Sequence, residues 1–328
     1  MENSVKSHRE QFGHIGVLMG GCSSEREISL KSGRAVFEAL KQSGHQVTAL
    51  DILSEREDDI VSQLKGAKIE VAFIALHGRF GEDGGIQSLL EKFNIPYTGS
   101  RVKASRIAIN KALTQNMLSE NGILVPAYRL IKRGDRVDQA DLADWLKNFP
   151  VVVKPVRQGS SIGITIIEKE NDLLSAFRKA WEYDDEILVE QYIKGKELTV
   201  GIVDKTSLPV IEIRPKNKFF DYASKYQSGM TEYIIPAEIS DGIAMTVQKI
   251  AFQTHAVLGC CDFSRVDVML NQDNKPYVIE INTIPGFTAT SLLPKAAKAY
   301  GMDFAQLCRK LITLAYRKQK KPQTSFVA

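Results

Sequence analysis

Cysteine is scarce in this 328-residue chain: Cys22, Cys260, Cys261 and Cys308 are the full set, with no CxxC spacing among them. Without that spacing a CxxC metal or redox site is not indicated. Adjacent Cys260 and Cys261 stand in an apolar run and are expected to be buried free thiols. The five histidines include no HExxH pair, which removes a zinc hydrolase of that kind. Neither GxGxxG nor GxxxxGK[ST] occurs, so the usual nicotinamide and P-loop signatures are missing. No apolar run is long enough to span a bilayer. The first eleven residues are polar and lack the apolar core of a signal peptide. A cytoplasmic location is expected, with no membrane partner. The net charge of +4 is too small to indicate a nucleic-acid partner. Basic residues cluster only near the end (Arg317, Lys318, Lys320, Lys321), where a solvated tail is expected. Internal repeats and low-complexity segments are absent.

What is present is the composition of an ordinary globular protein, 44% hydrophobic and 25% charged, in a length that suits two or three domains. A strand at Ile15 to Met19, a Gly-rich turn and a helix from about Glu25 to Ser43 open the chain. Strands follow at Gln46 to Asp51 and Val71 to Leu76, then a helix near Gly85 to Phe93. This is the alternation of a parallel sheet covered by helices. A helical segment from Ala104 to Asn121 leads to strands at Val151 to Val153, Ile164 to Ile167 and Ile187 to Glu190, with a helix near Asp172 to Trp181. The remainder alternates strands with helices near Ile243 to Leu258 and Asp303 to Arg317.

The most informative stretch is the pair of segments Ser264 to Leu270 and Tyr277 to Asn282. Each alternates charged or amide residues with aliphatic ones, the period of a half-buried strand. The Asn- and Asp-rich connection makes them a hairpin. With the turn centred on Asp273-Asn274, Asp267 faces Glu280 and Arg265 faces Asn282. Opposed carboxylates repel. Either they form a solvated face with a cross-strand Arg–Glu pair, or they hold a hard divalent cation that bridges to phosphates.

Four loops add to this. Gly20 to Glu27 follows a strand and opens a helix; Ser24 and Glu27 have capping-box spacing, and Glu25 in the first turn could meet a ligand ammonium. His77 to Gly85 lies at the C-terminal end of a strand, the edge where open α/β sheets bind ligands. Lys154 to Gly163 joins two strands and offers N–H and hydroxyl donors with a lysine beside them, suited to phosphates. Asn282 to Ser291 continues from the acidic hairpin with donors suited to a substrate anion. The polar, aromatic segment Lys216 to Gly229 has the length of a lid.

Taken together these motifs resemble the D-alanine–D-alanine ligases of the ATP-grasp superfamily, over about Ile15 to Leu311. GGxSxExxxS runs from Gly20 to Ser29, HGxxGEDG from His77 to Gly84 and KPxxxGSSxG from Lys154 to Gly163; RxDxxL, ExNxxPG and Ser291 follow. Ser88 stands where the family usually has glycine, and Asp262-Phe263-Ser264 departs from its usual small and aromatic residues. The resemblance implies an α/β and α+β fold: an N-terminal parallel α/β domain (residues 1–103), then two α+β domains (104–196 and 197–328) enclosing ATP. It implies phosphorylation of one D-alanine by ATP, then attack by the amine of a second, for peptidoglycan synthesis. Asp267, Glu280 and Asn282 would hold two Mg²⁺ ions, with Mn²⁺ as a substitute. Lys111 and Lys154 would contact ATP phosphates, with Lys225 from the lid. Glu190, Gln191, Tyr192 and Ile193 would form the adenine hinge, and Glu197 would bind the ribose. Glu25 and His77 would face the first D-alanine. Arg265 and the Gly286 N–H would stabilise the tetrahedral intermediate, and Ser291 would take the second carboxylate. Ser160 and Tyr226 would link the lid to Glu25. A homodimer is implied as well. Ester-forming D-alanine–D-lactate ligases share the fold but generally lack the tyrosine seen as Tyr226. A non-catalytic ATP-binding regulator would be expected to lose an acidic ligand or Arg265.

Overall fold

The alternation of apolar strand and amphipathic helix from Ile15 onward builds a parallel sheet, as its periodicity predicts. The computed structural model describes residues 12–135, 150–215 and 231–320. Strand β1 (Ile15–Gly20) is buried along its whole length and lies between β2 (Val47–Ile52) and β3 (Val71–Ile74), all parallel. Such a strand, covered on both faces, has to be apolar throughout. Helix α1 (Arg26–Gln42) buries Ser29, Ser32, Gly33, Val36 and Leu40, one stripe of a 3.6-residue period. Helices α2 (Glu57–Ala67) and α3 (Gly85–Lys92) complete the unit.

Two local expectations are corrected here. The capping box of Ser24 and Glu27 does not form, because the helix is capped at Glu25, without a side-chain bond. Ser23 takes over instead: its hydroxyl accepts the Glu25 N–H and donates to the His77 carbonyl. The single helix expected from Ala104 to Asn121 is two, α4 (Val102–Ile109) and α5 (Lys111–Glu120). Asn110 is extended between them, and its side chain accepts the Leu113 N–H as an N-cap.

A second, antiparallel sheet has the order β4-β7-β5-β6, formed by β4 (Tyr128–Lys132), β5 (Val151–Pro155), β6 (Thr165–Ile167) and β7 (Glu186–Gln191). Helix α6 (Leu173–Trp181) covers it with Leu173, Ala176, Phe177 and Ala180. The third sheet runs β11-β10-β8-β12-β13, with β9 on β8. Its strands are β8 (Gly195–Val203), β9 (Thr206–Ser207), β10 (Ile211–Pro215), β11 (Thr231–Ile234), β12 (Phe263–Asn271) and β13 (Pro276–Asn282). Helix α7 (Asp241–Val257) packs on the face of Val200, Ile202, Val266 and Val268. Helix α8 (Leu292–Ala299) sits on the opposite face, over Gly201. A Cβ at Gly201 would stand 2.6 Å from Leu293 Cδ1, so only glycine lets α8 approach that closely.

Helix α9 (Phe304–Gln319) opens on a capping box between Asp303 and Gln306. It joins the first sheet to the third: Leu307, Cys308, Leu311 and Ile312 share one core with Ile15, Val17, Val36 and Phe73 and with Val203, Ile211 and Phe263. Its end overturns the solvated-tail expectation at Lys318. The Lys318 ammonium is buried, donates to the Tyr97 carbonyl at 2.7 Å and to Asp262 Oδ2 at 2.8 Å, and lies 4.4 Å from the Tyr97 ring centroid. It also donates to the Gly99 carbonyl, while the Gly99 N–H donates to Asp262. Burial pushes the Asp262 carboxyl up and the Lys318 ammonium down, and their contact opposes both shifts. Asp262, with φ +60, turns the chain into β12. Cys260 is buried as expected and Cys261 only partly so.

On the buried face of helix α7, His255 shares a 2.7 Å hydrogen bond with the Ser264 hydroxyl, and burial pushes its pKa down to about 4. The unfolded chain takes up this proton near its ordinary value of about 6.5. Between those two values the unfolded state binds more protons, so stability falls as pH falls, by roughly 3 kcal/mol across the window. Urea unfolding through that range is expected to show this slope, and His255→Asn to lose it. An unchanged slope in the variant would mean that His255 is not the titrating group.

Candidate active site

The acidic hairpin has the register expected at its functional end: Asp267 pairs with Glu280 and Arg265 with Asn282. It reaches that register by a different path. Near the turn the partners are Leu270 with Pro276, Met269 with Tyr277 and Val268 with Val278, one residue out of step with the even count. The turn itself holds three residues between Asn271 and Lys275, with Asn274 at φ +59. A bulge at Ile279 adds one residue to β13 and restores the pairing. It also flips the phase of the strand. Val278 and Ile281 both enter the α7 core, and Glu280, which strict alternation would place beside Val278, goes to the other face. Bulges re-aim side chains next to active sites in this way.

Asp267, 8% exposed, is held from three sides. Arg265 donates to both its oxygens, Nε at 2.9 Å and Nη2 at 2.7 Å. The Thr199 hydroxyl donates to Oδ1 at 2.6 Å, and Asn282 Nδ2 to Oδ2 at 3.2 Å. Across the hairpin, Glu280 Oε2 lies 3.7 Å from Lys111 Nζ, which also donates to the Gln158 carbonyl. Lys111 begins α5, and its N–H donates to the Val156 carbonyl. One lysine thus ties α5, the Lys154 to Gly163 loop and the third sheet together. Two carboxylates and an amide oxygen on one sheet face are the donor set a hard divalent cation takes.

Lys154 emerges from β5 into a fully buried contact, 2.7 Å from Glu190 Oε2 on the paired strand β7. Gln115 of α5 donates to the other Glu190 oxygen. At the end of β7 the Gln191 N–H goes to the Ala127 carbonyl and the Tyr192 N–H to that of Pro150, while Ile193 is buried beside them. Glu197 stands in β8 opposite Ile213 and Met269, two residues along the strand from Thr199 and on the same face.

Glu25 is reached from the second sheet, since the Ser160 hydroxyl donates to its Oε1. Gly78 and Gly159 close round it: a Cβ on either would lie 2.9 and 3.1 Å from Glu25 Oε2. His77 is buried and acts as a strut. Its Nδ1 is 3.0 Å from the Ile284 carbonyl, so that nitrogen carries the proton, and its Nε2 is 3.0 Å from the Ser32 hydroxyl. Ser32 in turn accepts the Phe287 N–H at 3.1 Å. Glu82 Oε1 lies 3.6 Å from His77, and burial pushes the Glu82 carboxyl up. Gly286 sits in the loop so anchored, and Ser291 accepts the Thr288 N–H at 3.1 Å before opening α8.

The structure therefore brings Asp267, Glu280, Asn282, Arg265 and Lys111 into one group, and Glu25 and Ser160 into another. Lys154 and Glu190 form a third. Lys225 and Tyr226 lie outside the described residues. Thr199, Ser32, Gln115 and Gln158 were not picked out from the sequence. Thr199 had a signal, because alternation along β8 puts it on the Glu197 face; the other three depend on contacts between distant segments.

A parallel α/β unit followed by two α+β units, with a lysine of the middle unit turned to an acidic hairpin of the last, is the arrangement of an ATP-grasp ligase. Residues 14–61 and 53–100 match the family model of the D-Ala–D-Ala ligase N-terminus, and residues 117–313 that of its C-terminus. The D-alanine–D-alanine ligase of Syntrophotalea carbinolica is 46% identical over 298 residues, covering 91% of this chain and 94% of that one. That of Halalkalibacterium halodurans is 42% identical over 309 residues, covering 93% and 99%. Among solved structures, the Bacillus anthracis D-alanine–D-alanine ligase complexed with ATP superposes with a TM-score of 0.83 at 33% identity, covering 94% of this chain and 99% of that one. The VanG D-Ala:D-Ser ligase of Enterococcus faecalis gives 0.79 at 30% identity, covering 93% and 100%. The chain belongs to the D-alanine–D-alanine ligase family.

Removing one partner of a buried ion pair leaves the other charge uncompensated, at a cost of about 3–5 kcal/mol. Lys154→Met is expected to lose stability on that scale in urea unfolding. Adding Glu190→Gln should recover part of it. A double variant as unstable as the sum of the two single ones would show that the charges do not act as a pair.

Proposed function

We propose that this chain joins two D-alanines into D-alanyl-D-alanine at the expense of ATP, for peptidoglycan synthesis. The observation that carries this reading is the opposed pair Asp267 and Glu280 facing Lys111, in a chain whose relatives of 42–46% identity are D-alanine–D-alanine ligases. The first D-alanine carboxylate attacks the γ-phosphate of ATP, releasing ADP and giving an acyl phosphate. The amine of the second D-alanine then attacks that acyl carbon, and phosphate leaves.

Phosphoryl transfer asks the protein chiefly to position the reactants and neutralise charge. Lys111 and Lys154 meet the phosphates, with Lys225 from the segment outside the described residues. Glu190 to Ile193 form the adenine hinge. The Gln191 and Tyr192 N–H groups are engaged elsewhere, so Ile193 is assigned as its donor. Glu197 takes the ribose. Asp267, Glu280 and Asn282 would hold two Mg²⁺ ions, or Mn²⁺ in their place, which supply positive charge to the transferred phosphate. Glu25 receives the first D-alanine's ammonium and Ser160 fixes that carboxylate. His77 faces the same substrate and holds the loop of Gly286. Arg265 and the Gly286 N–H stabilise the oxyanion that forms at the acyl carbon, and Ser291 takes the second carboxylate. The domain limits 1–103, 104–196 and 197–328, a homodimer and a cytoplasmic location belong to the same proposal.

Phosphate release from ATP is expected to require D-alanine, with D-alanyl-D-alanine as product and D-lactate a poor second substrate. ATP turnover indifferent to D-alanine would overturn the reading. Glu280→Gln should abolish turnover at ordinary Mg²⁺ while leaving the fold intact, because the lost contact with Lys111 is offset by relief of the carboxylate repulsion. Wild-type turnover in that variant would remove Glu280 from the metal site. Tyr226→Phe, which deletes only a hydroxyl, should admit D-lactate as nucleophile; unchanged rejection of D-lactate would leave Tyr226 without a part in selecting the amine.

A further inference from the structure

Helix α8 carries a cation that no step above uses. Lys295 stands one turn beyond Ser291, whose carbonyl accepts its N–H. Side chains on a helix lean toward its N-terminus, so Lys295 leans back toward Ser291. Its ammonium lies 4.1 Å from the centroid of the Tyr233 ring, and among the described residues it has no carboxylate partner. Tyr233 is the β11 residue paired with Ile213, in the row across the third sheet that also contains Glu197. The Arg265 guanidinium and the Glu197 carboxylate both act on its hydroxyl. Burial, with nothing opposing it, pushes the Lys295 ammonium down from its usual range. A ring face holds such a charge loosely and yields it to an anion.

We propose that Lys295 is a specificity-determining residue that receives the carboxylate of the second substrate together with Ser291, Tyr233 serving as its platform before the substrate arrives. The proposal rests on the ligase reading above. A carboxylate is favoured over an ATP phosphate because of position. Two of the three lysines assigned to phosphates, Lys111 and Lys154, belong to the middle unit, whereas Lys295 shares helix α8 with Ser291 and with Leu293, which packs on Gly201 beside Arg265. The charge that Lys295 lacks is the one that the second amino acid brings.

Steady-state formation of D-alanyl-D-alanine by the full-length protein, fitted for the two D-alanine sites separately, tests this. Lys295→Gln is expected to raise the second-site KM about tenfold or more, with the first-site KM, the ATP KM and kcat each within about twofold. Lys295→Arg should recover most of the loss, and thermal unfolding of both variants should match the parent. A rise in the ATP KM would instead assign Lys295 to phosphate and overturn the proposal. So would an unchanged second-site KM, or an arginine variant as impaired as the glutamine one. A parent protein that forms no dipeptide would refute the ligase reading itself, and is seen before any variant is compared.

Discussion

Two like charges on adjacent strands are the constraint round which the site is organised. At about 5 Å and an effective dielectric near 20, the repulsion of Asp267 and Glu280 is about 3 kcal/mol. A fold of marginal stability keeps such a pair only where it is offset. Arg265 and Thr199 offset it from within the sheet, and Lys111 from the helix opposite. Each of these groups has to be in place before the hairpin is comfortable, so the charges that hold the hairpin also hold the neighbouring unit against it.

The remaining loops are fixed by the same kind of contact across units. The Asn282 to Ser291 loop is pinned twice: the Phe287 ring, 1% exposed, packs edge-on against Phe73 and Phe263, and its N–H is bound by Ser32. Through Ser32 and Ile284, His77 joins the first sheet to that loop. Sites supported by locked neighbours keep their geometry better than sites on free loops. The rigidity of the donors round Gly286 and Ser291 therefore originates in the N-terminal unit.

Element types were largely legible from periodicity, and the register of Asp267 with Glu280 was read correctly. It was read through two omissions that cancel. An odd turn and a bulge at Ile279 each displace the pairing by one residue, and counting along the chain detects neither. The capping box failed because the helix is capped at Glu25 and not at Ser24, and Ser23 ties that turn to the His77 carbonyl, 54 residues away. Lys318 looked solvated for a similar reason, since its acceptors come from Tyr97, Gly99 and Asp262. His77 was singled out by its loop, yet its role as a strut depends on Ser32 and Ile284. Local signals specified local structure; the groups that join units carry no spacing by which sequence alone could find them.

The packing of α9 on β1 and β3 has a consequence for biosynthesis. The sheet formed by early residues is completed by a helix that lies far later in the chain. While the chain is still on the ribosome, Ile15, Val17, Val36 and Phe73 have an apolar face for which Leu307, Cys308 and Leu311 have not yet been translated. Domains that fold as units usually do so in order of synthesis; this one has to wait until α9 has been made. A product cut short before α9 keeps that face open to water, the kind of exposed apolar surface that makes incompletely folded chains prone to aggregate.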